Sequence, residues 1–453
     1  MPDFDLAIIG TGSGNSVVTP EFDDKRVAII EEGTFGGTCL NVGCIPTKMF
    51  VYAAEVADTI RQSSRYGIDS SLTGVRWTDI RDRIFGRIDP IAQGGQDYRV
   101  NGPNTTTFLS RTRFTGPKTL TMSTGETITA EQIVIAAGAR PIIPDEIAES
   151  GIAFHTSDSI MRIEELPDRL VILGGGYIGA EFAHVFGVLG VQVTWVTRGN
   201  RLLRHLDSEI SDAFTELAGE KWDVRLGERV TKLTGTDSEP SLQFAGGGTA
   251  SGDMLLVATG RRPNSDRLGL DIADVQTTAD GRVEVDRHGR TSAPGIWALG
   301  DVSSVYQLKH VANHEARIVA HNLAHPEDLR SFDHRHVPAA VFTSPQIASV
   351  GLTEDQARAS YPDYVAATQQ YGDTAYGWAM EDTTGICKVI ADPATGLLIG
   401  AHVMGYQASS LIQPLIQGMS FGQRAIDIAQ GQYWIHPALA EVIENALLKL
   451  GLN

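Results

Sequence analysis

Cysteine is scarce in this chain: there are three in 453 residues. So small a set excludes a secreted scaffold held together by disulfides. Positive charge is also short, with 37 lysines and arginines against 55 acids and a formal net charge of −18. No long basic run occurs. A general nucleic-acid surface must neutralise phosphates, so none is expected here, although a local basic pocket remains open. No apolar run approaches the roughly 18 residues that span a bilayer. The opening "MPDFDLAIIG" runs straight into a strand without a basic leader, so neither a signal peptide nor a membrane partner is expected. A cytoplasmic protein is the expectation. In a reducing compartment, two cysteines close together are redox-active or metal-binding rather than structural.

A chain of this length exceeds one hydrophobic core and implies two or three domains. Hydrophobic content of 42% is ordinary for a globular protein, while 48 glycines point to many tight turns or phosphate-binding loops. The first segment reads strand, glycine turn, helix. After "DLAIIG" comes "GTGSGNS", in which Gly10 and Gly12 fit the first two positions of G-x-G-x-x-G. Asn15 stands at the third, with Gly14 beside it. Such glycines let the backbone approach a pyrophosphate at a helix N-terminus. The next strand ends at Glu31, where an acid can hold an adenosine ribose. The bland alternative is a structural turn.

The pattern returns complete. "RLVILGGGYIGAE" supplies Gly174, Gly176 and Gly179 at the required spacing, with Tyr177 and Ile178 between them. Its second strand lies in "VQVTWVTRGNRLLR", where the ribose-binding acid is missing. Arg198 stands there, followed by Arg204. Arginine in that place accommodates a 2′-phosphate, so this half is expected to prefer NADP(H). A solvated basic loop is the alternative. Two further strands end alike, "VIAAGARP" at Gly138 and "LVATGRRP" at Gly260, which marks two related nucleotide-binding units, one nested in the other. "GIWALGD" then brings Asp301 to a strand end, placed to bond a second cofactor segment such as a ribityl chain.

The remainder, from about residue 333, lacks a glycine fingerprint and reads as an antiparallel sheet with covering helices. The expected fold is therefore α/β, with two nested Rossmann-like dinucleotide-binding domains and a C-terminal α+β domain. Residues 1–145 are expected to form the first part of the first dinucleotide-binding domain and 146–264 the second, NADP(H)-binding one. Residues 265–332 are expected to return to the first, and 333–453 to form the last domain.

Two of the three cysteines sit in "GGTCLNVGCIPTK", directly after the Glu31 strand. A structural zinc site needs about four ligands, and no histidine is near Cys39 and Cys44 in sequence. No metal is expected. A buried pair of thiols is a second option. A redox disulfide, fed by a flavin at the first nucleotide site, is the one that the position favours. Cys387 lies in a predicted strand and reads as a small buried hydrophobe.

These motifs together resemble the pyridine nucleotide–disulfide oxidoreductases of the glutathione reductase and dihydrolipoamide dehydrogenase type, over essentially the whole length. The resemblance implies bound FAD, NADPH as reductant, a low-molecular-weight thiol disulfide as substrate and a homodimer with shared sites. It implies that Cys44 lies nearer the flavin and that Cys39 attacks the substrate. Thr38, Ser13 and Gly14 would touch FAD phosphates. Lys48 and Glu181 would pair near the flavin, and Tyr177 would cover the nicotinamide pocket. His436 and Glu441, in the terminal HP-x3-E, match the acid/base pair. A thiolate leaving group needs a proton that histidine can supply, and a carboxylate holds its tautomer. Lys309 and His310 stand where many relatives have threonine and proline. A lipoamide dehydrogenase would favour NAD(H), against Arg198 and Arg204. Glutathione reductase shares all of this chemistry. A flavin redox sensor without turnover would not need His436 and Glu441.

Overall fold

The computed structural model describes residues 1–452. Its first sheet is built on four parallel strands in the order Thr105–Leu109, Val27–Glu31, Phe4–Ile9, Thr127–Ile135, with Ile296–Ala298 parallel on the far side of the last. "FDLAII" and "VAIIE" are buried along most of their length. Continuous apolar runs are what parallel strands covered on both faces require. The nine-residue strand Thr127–Ile135 also pairs antiparallel with Thr119–Met122, which extends the sheet towards Thr112–Gly116.

A second parallel sheet, Asp223–Arg225, Gln192–Val196, Arg169–Leu173, Met254–Val257, is inserted within the first unit. The two units repeat one detail. A Cβ on Gly10 would lie 2.3 Å from the Ala136 carbonyl oxygen, and one on Gly174 would lie 2.1 Å from that of Ala258. Both glycines also have positive φ, so a side chain is excluded twice at each. Their N–H groups donate to Ile30 and Val196 respectively. The twin turns that end the two units meet directly, as Ala139–Pro141 pairs antiparallel with Arg261–Pro263.

The expected helix after the first glycine turn does not form. Ser13–Val17 is a five-residue 3-10 turn, and the chain turns again at Pro20–Phe22. The β-branched Val17, Val18 and Thr19, followed by Pro20, disfavour helix continuation. The second fingerprint opens a full α-helix, Tyr177–Val188. Its following strand is shorter than the sequence pattern implies: it ends at Val196, and Arg198 to Arg204 lie in a turn.

The C-terminal sheet is antiparallel, in the order Ala339–Val341, Gln346–Gly351, Leu397–Gly405, Ile386–Asp392, Val365–Gln370. Helices Gln413–Ser420, Ala425–Gln430 and Glu441–Lys449 cover it. One apolar cluster joins the long helix after the cysteines, the second sheet's unit and the edge of the C-terminal sheet. Phe50 stacks on Trp77 at 4.9 Å, Trp77 meets Phe186 at 5.6 Å, and Val341 and Ile347 close the same cluster. The helix that carries Phe50 is thus fixed from several sides. No helix of the described residues is long and apolar enough to cross a membrane.

A buried ion cluster ties the second sheet's unit to the antiparallel sheet. Lys388 Nζ lies 2.8 Å from Asp207, 3.0 Å from Glu209 and 2.6 Å from Glu354. Burial pushes the Asp207 carboxyl up, but bonds from Lys388 and the Glu354 amide outweigh it and hold it below the usual range. Removing one partner of such a pair strands the other charge in the interior. Lys388→Met is therefore expected to cost about 3–5 kcal/mol in urea unfolding. A loss below about 1 kcal/mol would show that the cluster is not a structural tie.

Candidate active site

The cysteine segment folds as two helices separated by Val42 and Gly43. Cys39 lies in the short helix Gly37–Asn41, and Cys44 is the first residue of the 19-residue helix Cys44–Gln62. Glycines allow this packing. Gly37 has φ +68°, and a Cβ there would stand 2.7 Å from Gly12 Cα. The cysteine loop therefore lies directly against the first glycine turn. A Cβ on Gly43 would press on the Thr38 carbonyl oxygen at 2.8 Å, so the step between the two helices needs glycine as well.

Both thiols are free. The hydrogen bond that Cys39 donates to Cys44 pushes the Cys39 thiol up, and burial adds to this. The same bond brings Cys44 down to about 7, against the effect of burial and with help from the Lys48 ammonium. A position at a helix N-terminus favours a thiolate in the same sense. The single negative charge of the reduced pair thus rests on Cys44.

Lys48 is one turn beyond Cys44, on the same helix face. Its Nζ donates to both Glu181 oxygens, at 2.7 and 2.8 Å. Glu181 is on the helix Tyr177–Val188 of the second unit, with its side chain 4% exposed. The backbone N–H of Phe342 donates to the same carboxylate, and Lys48 lies 4.8 Å from the Phe342 ring centroid. Nothing in the sequence links Phe342 to this site, because the contact depends on how the C-terminal sheet docks.

A cavity of about 520 Å³ opens on this pair. Gly10, Gly12, Ser13, Gly14, Glu31, Thr38, Cys39, Cys44, Lys48, Gly138, Tyr177, Ile178, Glu181 and Asp301 all line it. Glu31 accepts from Thr11 N and Oγ1 at 2.8 and 2.6 Å and from Gly33 N at 2.8 Å. Thr11 is a site residue that the fingerprint does not single out. Burial pushes the Asp301 carboxyl up. Asn15, at the third fingerprint position, is engaged by Arg99, which donates to its side chain and its carbonyl.

Other candidate residues stand apart. Gly174, Gly176, Gly179 and Gly260 do not line this cavity. Where the first unit has Glu31 after the residue bonded by the glycine N–H, the second has Thr197, followed by Arg198. Arg198 and Arg204 are exposed. His436 is 71% exposed and lies outside the cavity; its Nδ1 is 2.7 Å from Glu441 Oε1. This bond holds the Glu441 carboxyl below its ordinary range. Cys387 is fully buried, and burial pushes its thiol up to about 12.

The cavity fits a dinucleotide with an isoalloxazine ring. The glycine turn has no room for side chains at Gly10, Gly14 or Gly37, and the lining includes both the Glu31 carboxylate and the cysteines. Among the described residues, no three His, Cys, Asp or Glu side chains gather as metal ligands.

The chain belongs to the pyridine nucleotide–disulphide oxidoreductases: the family model matches residues 4–316, and that of the family's dimerisation domain matches 337–447. It is an oxidoreductase of the type that uses FAD and NAD(P)H. Mycothione reductase of Mycobacterium tuberculosis is 59% identical, over 99% of this chain and 100% of that one. Glutathione reductase of Burkholderia cepacia is 34% identical over 97% of each chain, and dihydrolipoyl dehydrogenase of Corynebacterium glutamicum is 33% identical over 98% and 97%. Among solved structures, the HOCl-induced flavoprotein disulfide reductase RclA of Escherichia coli superposes with a TM-score of 0.87 at 28% identity, covering 98% of this chain and 99% of that chain.

In the reduced protein, the thiolate absorbance at 240 nm is expected to appear as pH rises through about 7. Lys48→Met should move this transition to higher pH, since the ammonium favours the anion. An unmoved midpoint would show that Lys48 does not act on Cys44.

Proposed function

We propose that the protein is an NADPH-dependent flavoprotein disulfide reductase whose substrate is mycothiol disulfide (mycothione). One observation carries the reaction class: a cysteine pair, polarised so that Cys44 holds the charge, lines the same cavity as a dinucleotide turn. The 59% identity to mycothione reductase carries the substrate.

Gly12 to Gly14 would hold an FAD pyrophosphate and Glu31 its adenosine ribose, and a flavin so held would supply two-electron reduction, from NADPH, of a Cys39–Cys44 disulfide. The chain's own residues do the rest. Thr38, Gly138 and Asp301 hold the cofactor in the cavity, and Lys48, fixed by Glu181, keeps a positive charge beside the cysteines. Gly174, Gly176, Gly179 and Gly260 shape the pyridine nucleotide site, Arg198 and Arg204 take its 2′-phosphate, and Tyr177 with Ile178 covers the inner end.

Cys39 gives its proton to the histidine assigned below, attacks one sulfur of the substrate disulfide, forms a mixed disulfide and expels the first thiolate, which takes that proton back. Cys44 thiolate then attacks Cys39 Sγ, which restores the Cys39–Cys44 disulfide and expels the second. Each departing thiolate takes a proton. His436, oriented by Glu441, is the group assigned to supply it. Because His436 is exposed and outside its own chain's cavity, we assign it to the partner subunit's cysteines in a homodimer. The matched dimerisation domain supports this assembly. The balance is one NADPH and one proton consumed for two thiols formed.

The pure protein should oxidise NADPH rapidly with mycothiol disulfide and far more slowly with glutathione disulfide or lipoamide. Preference for glutathione disulfide would remove the substrate but keep the chemistry. No turnover with any of the three, despite bound flavin, would leave a redox sensor as the better reading. Arg198→Ala and Arg204→Ala should each raise KM for NADPH about tenfold, with the value for NADH unchanged, since a charge-assisted bond of about 1.5–3 kcal/mol is lost. Equal effects on both nucleotides would contradict the 2′-phosphate assignment.

A further inference from the structure

Six basic side chains line the cavity: Lys48, Arg111, Arg140, Arg261, Arg267 and Lys309. Five of them have a carboxylate within 4.0 Å. Among the described residues, Lys309 is the one cavity-lining cation without such a partner. Its ammonium instead reaches back to the glycine turn, where Nζ donates to Ser13 Oγ at 2.9 Å. Ser13 Oγ in turn donates to Asn313 Oδ1 at 2.9 Å. Lys309 and Asn313 are one turn apart on the helix Lys309–Ala324, so this helix grips Ser13 through two side chains.

The surroundings give that cation a purpose. Five acids also line the cavity, Glu31, Glu32, Asp158, Glu181 and Asp301, and three of them, Glu32, Asp158 and Glu181, pair with its other cations. The whole chain carries a net charge of −18. A pyrophosphate entering here brings two more negative charges. In many dinucleotide sites a long helix behind the glycine turn supplies aligned amides and a positive end. Here that helix is replaced by the five-residue turn Ser13–Val17. Such a turn aligns few amides and has little dipole. The electrostatic deficit falls where Lys309 Nζ is found.

We infer that Lys309 is an anchor for the FAD pyrophosphate, supplying by point charge what the shortened turn cannot. Ser13 and Asn313 hold the ammonium against the glycine turn. The neighbouring His310 has no part in it, since its Nε2 faces the Pro338 carbonyl oxygen at 2.8 Å. This inference rests on the reading of the cavity as an FAD site.

The test is the release of FAD from purified holoenzyme, followed by flavin fluorescence after dilution at several KCl concentrations. Circular dichroism confirms that each variant is folded, and Lys309→Gln replaces Lys309→Met if the latter is not. Lys309→Met should release FAD at least about tenfold faster than the unaltered protein, the loss expected for a charge-assisted bond. Lys309→Arg, which keeps the charge, should release it more slowly than Lys309→Met. Release from the unaltered protein should quicken with salt, and release from Lys309→Met should depend on salt less. Unchanged release in Lys309→Met, or equal release from the Met and Arg variants, would overturn the inference. So would retained FAD with a lowered flavin reduction potential, which would assign the charge to the ring. An unaltered protein that carries no FAD at all would instead sink the cofactor reading on which the inference rests.

Discussion

The ion pair between Lys48 and Glu181 is the contact on which the site depends. It joins the cysteine helix to the first helix of the inserted unit, and the Phe342 amide adds the C-terminal sheet to the same carboxylate. Glu181 is almost fully buried. A carboxylate in such a place must be paired, and the pairing fixes Lys48 one turn from Cys44. One interaction thus orders three parts of the chain and places the ammonium that helps to hold Cys44 as a thiolate. The hydrogen bond from Cys39 does the complementary work, holding the proton on Cys39 and the charge on Cys44.

Around this pair the fold repeats itself. Gly10 and Gly174 make the same close approach to a neighbouring strand-end carbonyl, with their N–H groups bonded to the end of the second strand in each unit. From the end of the second strand on, the units diverge. The first continues into Glu31, which Thr11 and Gly33 hold at the cavity wall. The second continues into Thr197 and the exposed Arg198. The difference in nucleotide preference that we propose would then rest on a turn that the shared backbone plan leaves free.

Much of this was legible in the sequence, and the boundary has a physical cause. Parallel strands buried on both faces announce themselves as short apolar runs, and a glycine that cannot carry a Cβ has no substitute, so both units could be read directly. Cys39, Cys44 and Asp301 stood out because their local setting is meaningful, and Lys48 through the family resemblance. The contacts between distant segments could not be read. Phe342 reaches Lys48 through the docking of a separate sheet, and Lys388 finds Asp207 across 181 residues. The shortened turn at Ser13–Val17 was missed because the glycine pattern implies a helix, while Val17, Val18, Thr19 and Pro20 decide against it.

The central claim is that Cys39 and Cys44 form a disulfide that NADPH reduces through the cofactor. The chain's third cysteine makes this countable, since Cys387 is buried and separate from the pair. Thiols should be titrated in denaturant, before and after anaerobic treatment of the holoenzyme with NADPH. One thiol per chain is expected before treatment and three after, given the three cysteines of the sequence. Three thiols in both samples would mean that no disulfide forms. One thiol in both would mean that electrons from NADPH never reach the pair.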